Sequence, residues 1–345
     1  MKLARFHAIT GQYAGLRIAV AGDFCLDRYL EIDPARTEVS IETGLPVHNV
    51  VNVRSQPGGA GTILNNLAAL GISAIFPVGF AGDDGEGYEL CRALAARPGV
   101  QMQHFIQTSE RRTFTYCKPL VIEPGKAPRE LNRLDQKNWT PTPASTTERL
   151  VAALQSLSGD VNALVLLGQV DEPETGVLTS GLLRSVARIA EANPELLLLA
   201  DSRRGLNKFP PVVFKMNATE LASLTGLSAS SGLNEIVAAA GGLARRNQRL
   251  VFVTLAERGI IGASPAGETE HVPAHAVRGE IDVVGAGDAV TANLTASLAA
   301  GATLLEALEL ANAAASIVIH QLGTTGVATV AGLRQLLFDR NQTGQ

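Results

Sequence analysis

Short, largely apolar runs recur along this chain at 17–22, 73–78, 163–167, 196–200, 212–216 and 250–254. Between most of them fall stretches of helical period, at 62–70, 87–96, 175–192 and 233–245. A strand that is apolar at every position must be buried on both faces. Helices that alternate with such strands supply the two covering layers. The expected fold is therefore α/β, a three-layer sandwich around a mainly parallel central sheet. With 345 residues, 46% of them hydrophobic, the chain has ample material for that core. The stretch 307–319 is apolar nearly all round, which predicts a buried helix.

Two segments break the rhythm. Residues 37–57 and 111–135 carry alternating β-like stretches and no helix of their own. They read as strands that leave the main sheet to build a small β-sheet lid on a single domain spanning 1–345. Residues 340–345 read as a frayed tail. The net charge is -4 with no basic block, and aromatics make up only 4%, which argues against nucleic acid as a partner. Three cysteines, odd in number and scattered, point to a reducing compartment without a disulfide framework. Residues 1–15 lack the core of a signal peptide, and no apolar run reaches the ~18 residues needed to span a bilayer. The expectation is a cytoplasmic protein with no membrane partner and no zinc cluster.

The chemistry is concentrated at Gly285-Ala286-Gly287-Asp288. Residues 280–284 before it read as the end of a strand, and 289–300 after it as a helix. Glycines at a helix start let bare N–H groups converge where the macrodipole is positive, which makes an anion hole. A carboxylate beside such a hole, Asp288, is suited to act as a general base, taking a proton from a hydroxyl that attacks a held phosphoryl group. Two other readings compete. Asp in a first helical turn is common for dipole reasons alone. A dinucleotide loop also opens with Gly-x-Gly, but its third glycine is replaced by Val290, and the motif lies far from any first βαβ unit.

Further candidates line up around this motif. Asp23 and Asp27 follow the first strand, where α/β sheets place ligands and where carboxylates can accept bonds from sugar hydroxyls; an Asx turn would also explain either one. Gly58 and Gly59 precede a helix that carries Thr62 and Asn66 early on, and allow close backbone approach to a ligand. Asn217 and Glu220, three apart after the strand 212–216, share a helical face where they could orient water around Mg²⁺; an N-cap with a capping-box glutamate fits them equally well. Thr254 to Gly259 reads as a strand-to-turn element that can approach a nucleotide.

Taken together and in this order, these motifs resemble the ribokinase-like (PfkB) carbohydrate kinases over about 17–337. The resemblance implies a ribokinase-like fold, ATP and Mg²⁺ as cofactors, and room for a monovalent cation such as K⁺. It implies Asp288 as catalytic base, the amides of Gly285, Ala286 and Gly287 as the anion hole, and Asp27, Gly58 and Gly59 facing the sugar. It places Thr254, Gly259 and Asn312 near the nucleotide, and links Asn217 and Glu220 to Mg²⁺ through water. Within the family, 22–29, 45–48 and 131–135 resemble the heptose-7-phosphate kinases. Those are often joined to a nucleotidyltransferase domain, for which 345 residues leave no room and whose His-x-Gly-His signature is absent.

The chain also departs from the family pattern. Thr62 stands where asparagine is usual, Val283 replaces a threonine, and Ala256 replaces the middle glycine of Thr-x-Gly-x-x-Gly. A longer loop, 168–175, replaces a short Ser-Asp-Tyr-like one. These changes touch the sugar site and nucleotide edge. The expected substrate is a sugar phosphate, with Arg112, Lys118, Arg133, Arg203 and Arg204 as candidate cations for its phosphate. Other sugars (fructose, ribose, a ketodeoxy sugar acid), a nucleoside, or a non-catalytic binding role on the same fold are the alternatives. The lid is expected to pair two chains into a homodimer, because exposed sheet edges invite pairing.

Overall fold

The computed structural model describes residues 1–228 and 231–339; the predicted tail 340–345 lies outside them. Among the described residues the central sheet has nine strands. Across it run Thr269–Val272, Ile260–Ala263, Val251–Thr254, Val213–Asn217, Leu197–Ser202, Ala163–Gly168, Arg17–Gly22, Ala74–Gly82 and Phe105–Thr108. All neighbours pair in parallel except the first three, which form an antiparallel edge meander. Each predicted apolar run falls on one of these strands. In the first, Ile18 and Val20 belong to the core under one helical layer, while Ala19 and Ala21 belong to the core under the other. Helices Ala60–Ala69, Ala286–Ala299 and Leu304–Val318 cover the first face; Ala144–Leu157, Ser180–Ala192 and Leu233–Asn247 cover the second. The helix expected at 307–319 is buried as its all-round apolar pattern requires.

The lid is a second sheet in the order Leu134–Gln136, Phe114–Val121, Phe24–Ile32, Val50–Gly59. Strands from both 37–57 and 111–135 belong to this second sheet and not to the main one. Its central strand, Phe24–Ile32, was not anticipated. It is parallel to Phe114–Val121 and antiparallel to Val50–Gly59, so the lid is mixed. Its pattern is masked because Phe24, Cys25 and Leu26 are all fully buried, which hides the alternation of an outlying strand.

Two local expectations are corrected. Residues 280–284 are not the end of a strand. The sheet edge is already occupied by Thr269–Val272, and Pro273, which cannot donate to a ladder, follows it. The helix expected from 175 begins only at Ser180, capped by Thr179. Residues 169–178 instead form a loop held by the Asp23 carboxylate, which accepts from the N–H groups of Gln169, Val170 and Val177 at 2.8, 3.1 and 2.7 Å.

Candidate active site

Helix Ala286–Ala299 starts three residues earlier than its sequence pattern suggests, directly after Gly285. Gly285 has φ 83°, a left-handed conformation that glycine adopts without strain, and this turns the chain sharply into the helix. No side chain caps that end. The Ala289 N–H is bonded to Gly285 O at 2.9 Å, so the N–H groups just before it have no acceptor within the helix. Ala286 N–H leans on Val283 O at 3.3 Å, which leaves Gly287 and Asp288 as the freer donors of the hole.

Asp288 sits in that first turn, only partly exposed. Burial pushes its pKa up to about 7; the nearby Asp201 charge adds to the rise, and Lys215 and Arg203 oppose it. A carboxylate poised near neutrality is matched to proton abstraction. The sequence analysis missed the pair that surrounds it. Lys215 Nζ lies 2.7 Å from Asp201 Oδ2, and Thr291 donates to the same oxygen at 3.1 Å. Burial works against the Lys215 ammonium, but the charge and hydrogen bond of Asp201 outweigh it, and its pKa is raised. A lysine within the apolar strand Val213–Asn217 was the available signal: such a group is buried only when it is paired.

Two cavities meet at this helix end. One, of about 410 Å³, lies under the lid and is lined by Asp27, Gly59, Thr62, Lys118, Arg133, Arg203, Lys215, Glu220 and Asp288 among others. The second, of about 720 Å³, is more apolar and takes in Ala256, Gly259, Ile281, Val290 and Asn312. Asn217, Thr254, Val283 and Gly287 line both, so the rim between the cavities runs past the bare helix end.

Most predicted residues converge here. Asp27 lies on the lid strand Phe24–Ile32, not in a turn; burial raises its pKa and Lys118, with Nζ 3.9 Å away, pulls it back. Gly58 is needed beside it, since a Cβ there would meet Asp27 Oδ2 at 2.7 Å. Gly259 has φ 92° and lies against Val272 O, so the turn lining the second cavity has no space for a side chain. Asn312 faces the second cavity while donating to Pro273 O at 2.8 Å.

Four predicted residues lie elsewhere. Asp23 is spent on the 169–178 loop and lines neither cavity; burial raises its pKa while its three backbone bonds oppose the rise. Asn66 is fully buried and bonds Thr62 O, Gly326 O and the Ala328 N–H, tying its helix to a distant loop. Arg204 points into a different cavity behind the sheet edge. Arg112 is exposed and outside both pockets, its backbone N–H bonded to Asn138. In each case the chain neighbour or the fold, not the residue type, decides which way the side chain faces.

Asn217 and Glu220 form a reciprocal capping box: Asn217 Oδ1 accepts from Glu220 N–H at 2.9 Å, and Glu220 Oε2 from Asn217 N–H at 2.7 Å. One glutamate oxygen remains for other contacts. Burial raises the Glu220 pKa, with the Asn217 backbone bond opposing. Among the described residues no group of three or more His, Cys, Asp or Glu side chains could hold a metal ion. That donor set fits Mg²⁺ only in its usual form at phosphates, largely hydrated and touched by one or two carboxylates.

Comparison with known proteins gives a consistent result. The family described as pfkB family carbohydrate kinase matches residues 24–330. The bifunctional protein HldE of Azorhizobium caulinodans is 32% identical over 93% of this chain, and that of Gluconacetobacter diazotrophicus 30% identical over 95%. The chain spans 64% of the length of each of these two relatives. Among solved structures, a phosphofructokinase-2 from Escherichia coli in complex with substrates and products superposes with a TM-score of 0.71 at 18% identity, covering 93% of this chain and 98% of its own. Ribokinase of Arabidopsis thaliana complexed with ribose and ATP superposes with a TM-score of 0.67 at 17% identity, covering 94% and 99%.

Proposed function

Because this chain belongs to the pfkB family of carbohydrate kinases, with residues 24–330 matching it, we propose that it transfers the γ-phosphate of ATP to a hydroxyl of a sugar phosphate, with Asp288 as the base. The observation that carries this reading is the rim shared by the two cavities. ATP would lie in the more apolar cavity and the sugar in the charged one under the lid. The phosphoryl group would then cross beside Asn217, Thr254, Val283 and Gly287. At that rim the free N–H groups of the first helical turn face charge that grows during transfer. Asp288 takes the proton of the attacking hydroxyl as the new P–O bond forms and ADP leaves. The proton remains on Asp288 until products depart.

Mg²⁺ carried on the phosphates would neutralise their charge, with Glu220 and Asn217 positioned to hold its water shell. Asp27 suits sugar hydroxyls, and Lys118, Arg133 and Arg203 give the same cavity the cations a phosphorylated sugar needs. The heptose 7-phosphates are the favoured acceptors, on the family resemblance of the N-terminal third. The lid also exposes Val39, Ile41, Leu45, Val51 and Val53, an apolar surface that supports pairing of two chains through it. Among the described residues no helix is long and apolar enough to cross a membrane. The reading is tested by comparing kcat/KM for heptose 7-phosphate, fructose phosphates, fructose, ribose and adenosine in a coupled ADP assay. A higher value for an unphosphorylated acceptor would reverse the substrate assignment, and no turnover with any of them would favour a binding role.

A further inference from the structure

A third cavity, of about 520 Å³, lies outside the catalytic pockets and is built largely from the two segments that frame them. One segment is the loop 169–178. Its Gln169 lines the sugar cavity, while Pro173, Glu174 and Leu178 line the third one. The other is the turn after strand Leu197–Ser202. Arg203 enters the sugar cavity, and the next residue, Arg204, enters the third.

The cavity is preformed. Asp23 holds the loop through three backbone N–H groups, and buried Arg111 donates to Thr175 O at 2.9 Å. Glu174 has φ 62°, a conformation that side chains other than glycine seldom adopt. Its carboxylate accepts the Ser180 N–H at 3.0 and 3.1 Å, which fixes the loop to the helix behind it. The walls are Leu178, Leu183 and Phe209, and three cations surround them: Arg184 from helix Ser180–Ala192, and Arg204 and Lys208 from the turn. None of the three is ion-paired among the described residues, and the single carboxylate in the lining, Glu174, leaves the cavity net positive.

An apolar-walled pocket of this size, lined by three exposed cations without an ion-pair partner among the described residues, suits an anion that carries a ring. Guanidinium pairs favour phosphate over a lone carboxylate. We propose that this cavity is a second ligand site, for an organic phosphate with an apolar ring, and that its occupancy is coupled to the sugar site through the Arg203–Arg204 turn. Coupling requires a shared element whose position both ligands bias. Here adjacent residues of one turn face the two ligands.

The test is calorimetric titration of the full chain with 1-naphthyl phosphate, 1-naphthol and inorganic phosphate as separate probes, with the nucleotide site filled by a non-hydrolysable ATP analogue. Naphthyl phosphate should bind one equivalent, and each of the other two more weakly. The R184A/K208A variant should bind it about tenfold more weakly or worse, while melting like wild type and keeping its kcat/KM for the acceptor sugar. Saturating naphthyl phosphate should shift the acceptor KM of wild type at least about twofold and leave that of R184A/K208A unmoved. Equal affinity in the two proteins, no binding to wild type, or inorganic phosphate binding as tightly as the naphthyl ester would overturn the site. Binding with an unmoved KM would overturn the coupling. Because binding is read without turnover, a chain lacking kinase activity would still give a clear answer for the site, and its coupling would then be read from the calorimetric affinity for the acceptor sugar with and without naphthyl phosphate, an unmoved affinity overturning it.

Discussion

The charge balance behind Asp288 makes a prediction that turnover can read directly. Its carboxyl is displaced from 3.8 to about 7, which corresponds to about 4 kcal/mol against the ionised form. Burial is the largest cause, the Asp201 charge adds to it, and Lys215 opposes it. Lys215→Met removes the opposing cation without adding a polar group. The ionised base then becomes harder to form, so its pKa must rise and the acid limb of the pH–rate profile must move to higher pH. A shift of about one unit, a minority share of the whole displacement, takes the ionised fraction at pH 7 from about one half to about one tenth. Activity at pH 7 should fall about fivefold and recover by about pH 9. Asp201→Asn should move the limb the other way, because it removes the like charge and leaves Lys215 free to favour the carboxylate. The assay is kcat/KM for the acceptor from pH 5.5 to about 9.5, which reports the ionisation of free enzyme. Either variant breaks a buried pair and should lose about 3–5 kcal/mol of stability, so melting is followed alongside, and the D201N/K215M double variant should regain part of the loss. Acid limbs that superimpose across wild type and both single variants would refute the assignment of Asp288 as the titrating base.

Asp288→Asn preserves shape but not the base, and should cost about 10²–10⁴ in kcat with nucleotide affinity nearly unchanged; retention of a third of the activity would exclude the role. Glu220→Gln should raise the Mg²⁺ concentration for half-maximal rate, so a metal titration identical to wild type would remove Glu220 from the metal's surroundings. It keeps an acceptor oxygen for the Asn217 N–H, so melting should change little. Ala256 is held at φ 51° where the family carries glycine, and Ala256→Gly should raise stability by about 1 kcal/mol, readable in urea unfolding. Light scattering should show two chains per particle at micromolar concentration, and a monomer there would end the case for pairing through the lid.

The core of the parallel sheet was legible because its inner strands are buried on both faces, so most read as apolar runs. The uncapped helix start at Gly285 was legible because glycine and carboxylate spacing encodes it locally. What the sequence hid depends on contacts between distant segments. Phe24–Ile32 was assigned to no element, since nothing local says that Gly22 to Asp23 is where the chain leaves one sheet for another. That change of sheet is why two aspartates four residues apart have unrelated surroundings: Asp23 faces inward to hold a loop, and Asp27 looks into the cavity under the lid. Arg203 and Arg204 show the same effect over one residue, since adjacent side chains on a turn leave it in different directions. Lys215 was passed over because it interrupts an apolar strand, yet that interruption is informative. An ammonium within a buried strand demands a carboxylate, and Asp201, which ends the neighbouring strand, meets it. The pair in turn sets the electrostatic surroundings in which Asp288 is neither fully ionised nor fully protonated near neutral pH. Sequence spacing therefore locates Asp288 at the bare helix end, while the charged pair on the strands behind it sets how readily that carboxyl ionises.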